Sequence, residues 1–361
     1  MNDGKIDAYM LYCVFFITRL FSGFAHISTE AYSSSGSDRL LGILLAALIL
    51  PLCLLPSVLL FKRVGAEESI LSLTAKASPL LCKIMALVYC LVFFWFLIIT
   101  GLRFSLFASS ILYPRSDISL FLLLIFACGI YAACLGLRPI CRASVGFAFI
   151  IAVMSLAVLL SLIPKVHIRN FSPFLFDKAS QPLTLCLQSI GSTLELSMLA
   201  LLRGRLKNNS KKRFFTWLFA TLGLLELSAF FVDAVLGSFG SKRMFTLYSL
   251  CSLAQLGSLR RLDAIQSAIW LLSVFIKLSF YLYVTALVLR QGFALKSKKV
   301  AIITIGGLSC LVCLILSRNA LATLRVLSTG FYLAAFIIAV LILPSVGLVA
   351  KKLGGKKYEM L

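Results

Sequence analysis

Six ionisable side chains lie within long apolar stretches of this sequence, and they are the first candidates for chemistry. They are Arg19, Arg103, Glu195, Glu226, Asp233 and Lys277. A charged side chain at the centre of a hydrocarbon layer costs on the order of 3 kcal/mol, so each should face protein or water and have a partner. We predict that five of them form an intramembrane charge network, namely Arg19, Arg103, Glu195, Glu226 and Lys277.

Lys277 is the most deeply placed of these charges along the chain. It lies in the segment WLLSVFIKLSFYLYV, 14 residues after Asp263 and 13 residues before Arg290. At 1.5 Å per residue, each end of such a helix is about 20 Å away, which is too far for a lysine side chain to reach the surface. Lys277 must therefore be accommodated inside the protein.

Three interpretations of Lys277 are open at this point. It could be a structural charge paired with Glu195 or Glu226, it could occupy a cation site or change protonation during function, or it could face the carboxylate of a ligand. Ser273 and Tyr281 lie one turn away on the same helical face. We predict that Lys277 faces the gap between the first and eighth helices, with Glu195 or a first-helix carbonyl within reach.

Sequence signals for catalysis and metal binding are missing. The chain has no Walker loop, no H-E-x-x-H motif and no serine triad pattern, and its only histidines are at positions 26 and 167. We therefore expect neither enzyme activity nor a cofactor.

The composition places these residues in a polytopic membrane protein. Hydrophobic residues make up 61% of the 361 positions, charged residues only 13%, and the mean hydropathy is +1.02. Each long apolar run can cross a hydrocarbon core of roughly 30 Å as a helix that satisfies its own backbone hydrogen bonds. The sequence predicts an all-α transmembrane domain over residues 1–361 with ten helices, at 8–30, 40–62, 80–110, 117–137, 140–163, 182–204, 212–236, 262–290, 299–317 and 326–350.

The basic residues predict the orientation of the chain. The net charge of +22 comes from residues at helix ends and between apolar runs, which indicates contact with membrane lipids and not with nucleic acid. Connections on the side of the two termini hold 21 of the 35 Lys and Arg residues, and the opposite connections hold 11. The positive-inside rule therefore places both termini in the cytoplasm.

Two of the ten helices contain polar and small residues near their middle. The first contains ITRLFSGFAHIST and the sixth contains LQSIGSTLELSM. Gly and Ser clusters at membrane depth mark places where a helix can unwind, although they also serve close helix packing. Because the two are five positions apart in the order of the helices, they occupy equivalent places in two halves of five. We therefore predict discontinuous helices one and six in two inverted repeats, about 8–163 and 182–350, a pattern typical of transporters with a midplane site.

Several segments resemble the GerAB-type spore germination permeases, which are the B subunits of nutrient germinant receptors. The longest is RRLDAIQSAIWLLSVFIKLSFYLYVTALVL, residues 260–289. The segments ILYPRSD, VHIRNFSPFL and TLELSMLALL are similar to the family's motifs after the third helix, after the fifth helix and in the sixth helix. The resemblance covers essentially the whole chain, including its length and helix count.

The resemblance implies the LeuT-like fold of the amino acid-polyamine-organocation superfamily, with a ligand between helices one and six, flanked by helices three and eight. Glu195 matches the family's helix-six glutamate. The ligand-binding candidates carried over in this way are Ser22, Gly23, Phe24, Phe96, Thr100, Ser189, Gly191, Ser192, Thr193, Lys277 and Tyr281.

The function that the resemblance implies is nutrient sensing. The chain would bind a small germinant, often an amino acid, and would act in the spore inner membrane with the A and C subunits of a germinant receptor. An alternative is a proton-coupled or facilitative amino-acid permease, in which Lys277 replaces a sodium ion between helices one and eight. A third is a conduit for ions or water released during germination.

Overall fold

The computed structural model describes residues 5–30, 36–63, 68–112, 114, 117–171, 181–207, 211–255, 262–327 and 331–358. Within these residues ten helices are long and apolar enough to span a membrane, which confirms the predicted number. The spans, called helix one to helix ten in chain order, are Ala8–Ala25, Ser37–Leu60, Pro79–Leu112, Ile118–Leu135, Leu137–Ser161, Gln181–Leu201, Arg213–Gly240, Asp263–Phe293, Lys298–Ser317 and Phe331–Lys351.

Five of the ten helices are continuous α-helices, four change helix type along their length, and helix two is divided into two α-helical parts. The continuous ones are helices one, four, five, eight and nine, at Ala8–Glu30, Ile118–Leu135, Leu137–Ser161, Asp263–Phe293 and Lys298–Ser317. The others are helix two (Gly36–Cys53, Leu55–Arg63), three (Pro79–Phe107, π-turn Ala108–Leu112), six (Gln181–Gly191, 3-10 turn Leu194–Leu196, Ser197–Leu201), seven (Lys211–Phe231, π-turn Val232–Leu236) and ten (Phe331–Phe336, π-turn Ile337–Ile342, Leu343–Tyr358). Three further α-helices, at Ile70–Ala77, Thr246–Leu253 and Ala320–Leu327, lie between the spans.

Helix eight lies at the centre of the bundle. It packs against helices one, three, four, five and nine, and every residue from Ile276 to Val288 is buried. A helix that is surrounded in this way is largely apolar on every side, and its few polar side chains, such as Lys277, must find their partners inside the bundle. The outside of the bundle is also apolar, since Leu48, Phe149 and Phe219 are each at least 70% exposed, as expected for a surface in contact with lipid.

Helix one is not interrupted, so the predicted discontinuity there is wrong. The helix runs from Ala8 to Glu30, and the Ser22 hydroxyl donates to the Thr18 carbonyl at 3.2 Å within it. A methyl group placed on Gly23 would lie 2.3 Å from a Leu225 side-chain carbon of helix seven. The small residues of helix one therefore allow close packing, which was the alternative explanation of the same pattern.

Helix six is interrupted where the sequence predicted. Its first α-helical part ends at Gly191, Thr193 has the non-helical dihedral angles φ −99° and ψ 43°, and a 3-10 turn at Leu194–Leu196 precedes the second part. A methyl group on Gly191 would lie 2.9 Å from the backbone nitrogen of Leu333 in helix ten. Glycine at this position therefore lets the backbones of helices six and ten come close together where the first α-helical part of helix six ends.

The predicted start of helix ten, residue 326, lies in the α-helix Ala320–Leu327. Among the described residues the span of helix ten is Phe331–Lys351, and residues 328–330 lie outside them. Helix two has a break at Leu54 that was not predicted, just before Pro56, whose ring nitrogen has no hydrogen to donate to the preceding turn. The proposed division into two inverted repeats stays a prediction.

Candidate functional site

The break in helix six lies against helices one and eight, and a buried ion pair joins the three. Lys277 Nζ of helix eight is 3.3 Å from Glu195 Oε1 in the 3-10 turn of helix six, and the two side chains are 3% and 0% exposed. The same ammonium group donates to the hydroxyl of Ser22 and to the carbonyl of Thr18 at 3.4 Å, both on helix one. These contacts confirm that Lys277 faces helix one, with Glu195 and a helix-one carbonyl within reach.

Three oxygen atoms of different kinds surround the ammonium group. One belongs to a carboxylate, one to a hydroxyl and one to a backbone carbonyl, which matches the three donors that a lysine carries. Because the charge is removed from solvent, it is stable only with such a complete set of acceptors. Lys277 thus holds together three helices that come from distant parts of the chain.

Glu195 is less completely satisfied than its partner. Its Oε1 atom also accepts from the Tyr281 hydroxyl at 3.4 Å, but its buried Oε2 atom has no hydrogen-bond donor among the described residues. A buried carboxylate oxygen without a donor is costly and is uncommon in folded proteins. This oxygen is therefore the strongest acceptor in the site for a donor group that is not part of the protein.

An aromatic wall from helices three and eight borders the ion pair. The Phe96 ring stacks on the Tyr281 ring at a centroid distance of 6.2 Å, and Phe93 meets the same ring edge-on at 6.0 Å. The hydroxyl of the predicted site residue Thr100 donates a hydrogen bond to the Phe96 carbonyl at 2.7 Å, so its proton is already used within helix three. Phe24 of helix one is buried as well.

Arg19 connects helix one to the first part of helix six. Its guanidinium donates to the hydroxyls of Ser192 and Ser189, the latter at 3.2 Å. The Ser192 and Thr193 hydroxyls in turn donate to the Ser189 carbonyl at 2.8 and 3.1 Å, which satisfies a carbonyl freed by the break. The helix-six residues predicted from the sequence therefore lie together beside the break.

A cavity of about 20 Å³ lies next to this arginine, lined by Arg19, Gly23, Ser189 and Ser192 together with three apolar side chains. That volume holds about one water molecule. A nutrient that occupies this region would therefore need the cavity beside Arg19 to widen.

The predicted charge network is only partly present. Arg103 donates to the Tyr332 hydroxyl at 3.1 Å, and the Tyr332 ring meets the Phe96 ring edge-on with a centroid distance of 5.5 Å. Arg103 therefore contacts the site only indirectly, by way of these two aromatic side chains. Glu226 is half-buried on helix seven and makes no ion pair or hydrogen bond with the part of the chain described here. Of the two predicted partners of Lys277, only Glu195 pairs with it, because helix seven faces helices one and two.

A second buried ion pair was missed by sequence reasoning. Arg39 Nη1 in helix two is 2.9 Å from Asp233 Oδ1 in helix seven, with side-chain exposures of 2% and 7%. Arg39 directly precedes the predicted second helix at 40–62, so its place in the sequence indicates a charge in a connection between helices and not one inside the bundle. The signal that could have found the pair was Asp233 itself, an intramembrane acid that needs a cation.

The chain before helix one is joined to the chain after helix six and to helix eight. Ile6 N donates to the Arg205 carbonyl and Lys207 N to the Ile6 carbonyl, both at 2.9 Å, so the residues before helix one pair with those after helix six. Arg205 also donates to the Tyr283 hydroxyl of helix eight and lies over its ring. These contacts connect three of the helices that surround the Lys277–Glu195 pair or carry it.

A comparison with protein families identifies the chain. A family model described as "Spore germination protein" matches residues 5–321. The chain belongs to the spore germination protein family. A search of curated proteins finds no match to this spore germination protein.

Solved structures that resemble this spore germination protein are LeuT-fold transporters. One is a Na⁺-coupled sialic acid symporter in a substrate-bound outward-open state, with 15% identity and a TM-score of 0.63 over 99% of this chain and 91% of that one. Another is MHP1, a nucleobase-cation-symport-1 family transporter in a closed conformation with bromovinylhydantoin bound, with 13% identity and a TM-score of 0.62 over 98% and 94%. At these identities the likeness shows the fold, so this protein is a germination-related permease with the LeuT fold, integral to the membrane.

Proposed function

We propose that this protein binds a small nutrient at the break in helix six, and that binding starts germination through the A and C subunits of a germinant receptor in the spore inner membrane. The observation that carries the proposal is the Lys277–Glu195 ion pair, buried where the interrupted helix six meets helices one and eight. Membership of the spore germination protein family supports the biological role.

An amino acid is the simplest ligand for this site because it carries one ammonium group and one carboxylate group. These two groups can replace the partners that Glu195 and Lys277 lose when their ion pair separates. Its ammonium group can donate to Glu195, whose Oε2 atom has no donor from the described residues, and its carboxylate can accept from Lys277. Each buried charge then keeps a partner, which avoids the cost of leaving one unpaired. The Tyr281 and Phe96 rings lie beside the pair and would contact the ligand's side chain.

A change between two arrangements of the helices would let binding produce a signal. Since the cavity beside Arg19 holds only about one water, a nutrient that occupies this region binds an open arrangement, in which the cavity is wider. At a concentration 100 times its Kd, such a ligand stabilises the open arrangement by about 2.7 kcal/mol, a shift of roughly 100-fold in the ratio of the two states. Partner subunits that contact the moving helices would respond to this change in the ratio of the two states.

The test uses spores that carry this protein in their only germinant receptor, exposed to a panel of amino acids. Ser192→Trp fills the space beside the break, and Ser192→Ala removes one acceptor of the Arg19 guanidinium. Both should raise the nutrient concentration needed for germination, with Trp abolishing the response. Ser144→Ala is the matched control because Ser144 is equally buried on helix five and bonds only to the Cys141 carbonyl.

Receptor levels in the spores should be measured by immunoblot for each variant. A response to the cognate nutrient that is unchanged in Ser192→Trp spores, at normal receptor levels, would rule out the midplane site.

A second candidate function is proton-coupled or facilitative amino-acid transport. It is favoured by the position of the Lys277 ammonium, which takes the place of a metal cation among oxygens of Thr18, Ser22 and Glu195. Uptake of labelled amino acids into proteoliposomes separates the two functions. Accumulation driven by a pH gradient, without a requirement for sodium, supports transport, whereas ligand binding without uptake supports sensing.

A further inference from the structure

A second cavity lies on the outside of the bundle, between helices one, five and seven. Its volume is about 320 Å³. Tyr12 of helix one, Ala148 of helix five and Trp217 of helix seven form its buried wall, while Tyr9 and Arg213 form an exposed edge. It is separate from the helix-six break and shares no lining residue with the small cavity there.

The groove combines an apolar interior with a positive charge at one end. Arg213 lies near the start of helix seven, directly after Lys211 and Lys212 in the sequence, and its guanidinium carbon is 5.7 Å from the centre of the Tyr9 ring. Ala220, which also lines the groove, is seven residues further along helix seven, about 10 Å deeper. The charge is thus at the headgroup level and the apolar part extends toward the membrane interior.

Trp217 places a hydrogen-bond donor without an acceptor among the described residues in the wall of the groove. The side chain is 4% exposed and lines the groove, and its indole N–H has no acceptor among the residues that the structure describes. Trp217 is one turn, about 6 Å, deeper than Arg213. In a phospholipid, ester oxygens lie just below the phosphate, at the depth where this donor needs an acceptor.

The dimensions of the groove favour an acyl chain over a protein helix. A helix is about 10 Å wide, so a volume of 320 Å³ would hold only about 4 Å of its length. A slender hydrocarbon chain can enter the same space along its whole depth. Anionic lipids are also attracted to basic residues at this side of the membrane.

We propose that this groove binds an anionic phospholipid, with one acyl chain between helices one, five and seven, the phosphate on Arg213 and an ester oxygen on the Trp217 indole. The groove shares no lining residue with the cavity beside Arg19, and the proposal does not rest on the proposed signalling role. Because the groove wall includes helix one, a bound lipid contacts the same helix that contacts Lys277.

The test measures lipid retention by the purified full-length protein with native mass spectrometry, after exposure to phosphatidylglycerol and phosphatidylcholine with identical acyl chains. The wild-type protein should retain phosphatidylglycerol in preference to phosphatidylcholine. Arg213→Gln should weaken phosphatidylglycerol binding roughly fivefold, the factor expected for one basic residue near the surface. Arg290→Gln, which removes an exposed charge from helix eight outside the groove, is the matched control and should have no effect.

Three further variants test the contribution of the apolar groove and of Trp217 separately from that of the Arg213 charge. Ala152→Phe fills the groove and should abolish retention of both lipids, and Ala220→Leu, at an exposed position, is a milder filling if the first variant folds poorly. Trp217→Phe should weaken both lipids equally because both carry ester oxygens.

Four results would overturn the proposal. Equal retention of the two lipids by the wild-type protein would remove the anionic preference, and an equal effect of Arg290→Gln would show only general surface charge. Undiminished binding in both filled variants would place the lipid elsewhere. A photo-crosslinker at position 152 that captures only protein would identify a partner helix as the occupant.

Discussion

Replacing Lys277 by methionine should destabilise the protein strongly, and replacing both members of its ion pair should not. Without the lysine, the buried Glu195 carboxylate keeps only the Tyr281 hydroxyl at 3.4 Å. Removing one partner of a buried pair costs about 3–5 kcal/mol, whereas an apolar pair of similar volume is often neutral or better. We therefore expect Lys277→Met to lose about 3–5 kcal/mol and Lys277→Met with Glu195→Leu to recover most of it.

The cysteines of the protein provide the assay. Cys141 and Cys313 are fully buried free thiols, so a thiol-reactive fluorescent dye reports unfolding of the detergent-solubilised protein during heating. Lys76→Met is the matched control, because the Lys76–Glu68 pair has side-chain exposures of 64% and 32% and such a pair contributes less than about 1 kcal/mol. The reasoning is refuted if Lys277→Met is as mild as the control, or if the double variant is no more stable than the single one.

Four other single substitutions test helix packing and the second buried ion pair in the same thermal assay. Gly191→Ala should destabilise by about 1–3 kcal/mol because its methyl group meets the backbone of helix ten, whereas Gly146→Ala, with nothing within 4 Å, should be neutral or slightly stabilising. Gly23→Ala should cost less than Gly191→Ala, since the group it meets is a flexible leucine side chain of helix seven that can move. Arg39→Met should cost about 3–5 kcal/mol by leaving Asp233 unpaired, and Asp233→Leu added to it should restore stability; a double variant that is weaker than Arg39→Met would contradict this.

The position of Lys277 could be predicted because it follows from simple geometry. A lysine about 20 Å from either end of a membrane helix must face protein, and few intramembrane acids were available to pair with it. The choice between Glu195 and Glu226 could not be made from the sequence, since both lie in apolar segments. It depends on which face of helix seven meets helix one, and packing places Leu225 there.

Helices one and six show why similar local patterns gave one correct and one wrong prediction. Both contain glycine and serine near the middle, and such residues permit either an unwound backbone or a close contact between helices. Helix one uses Gly23 to approach helix seven and stays continuous, while helix six uses Gly191 to approach helix ten and is broken directly after it. Whether such a helix stays continuous depends on the helix that packs against it. That partner comes from a distant part of the chain, so the local sequence does not show which outcome occurs.

The sequence by itself determined that this protein is an all-α membrane protein with ten spans and a deeply buried lysine, because hydropathy and helix length depend on local composition alone. Only the tertiary structure decided that Lys277 pairs with Glu195, that Arg39 pairs with Asp233 across 194 positions of the chain, and that an apolar groove lies beneath Arg213. Those features arise from contacts between distant segments. They depend on how each helix is rotated and packed, which follows from the complementarity of whole surfaces and not from any short run of residues.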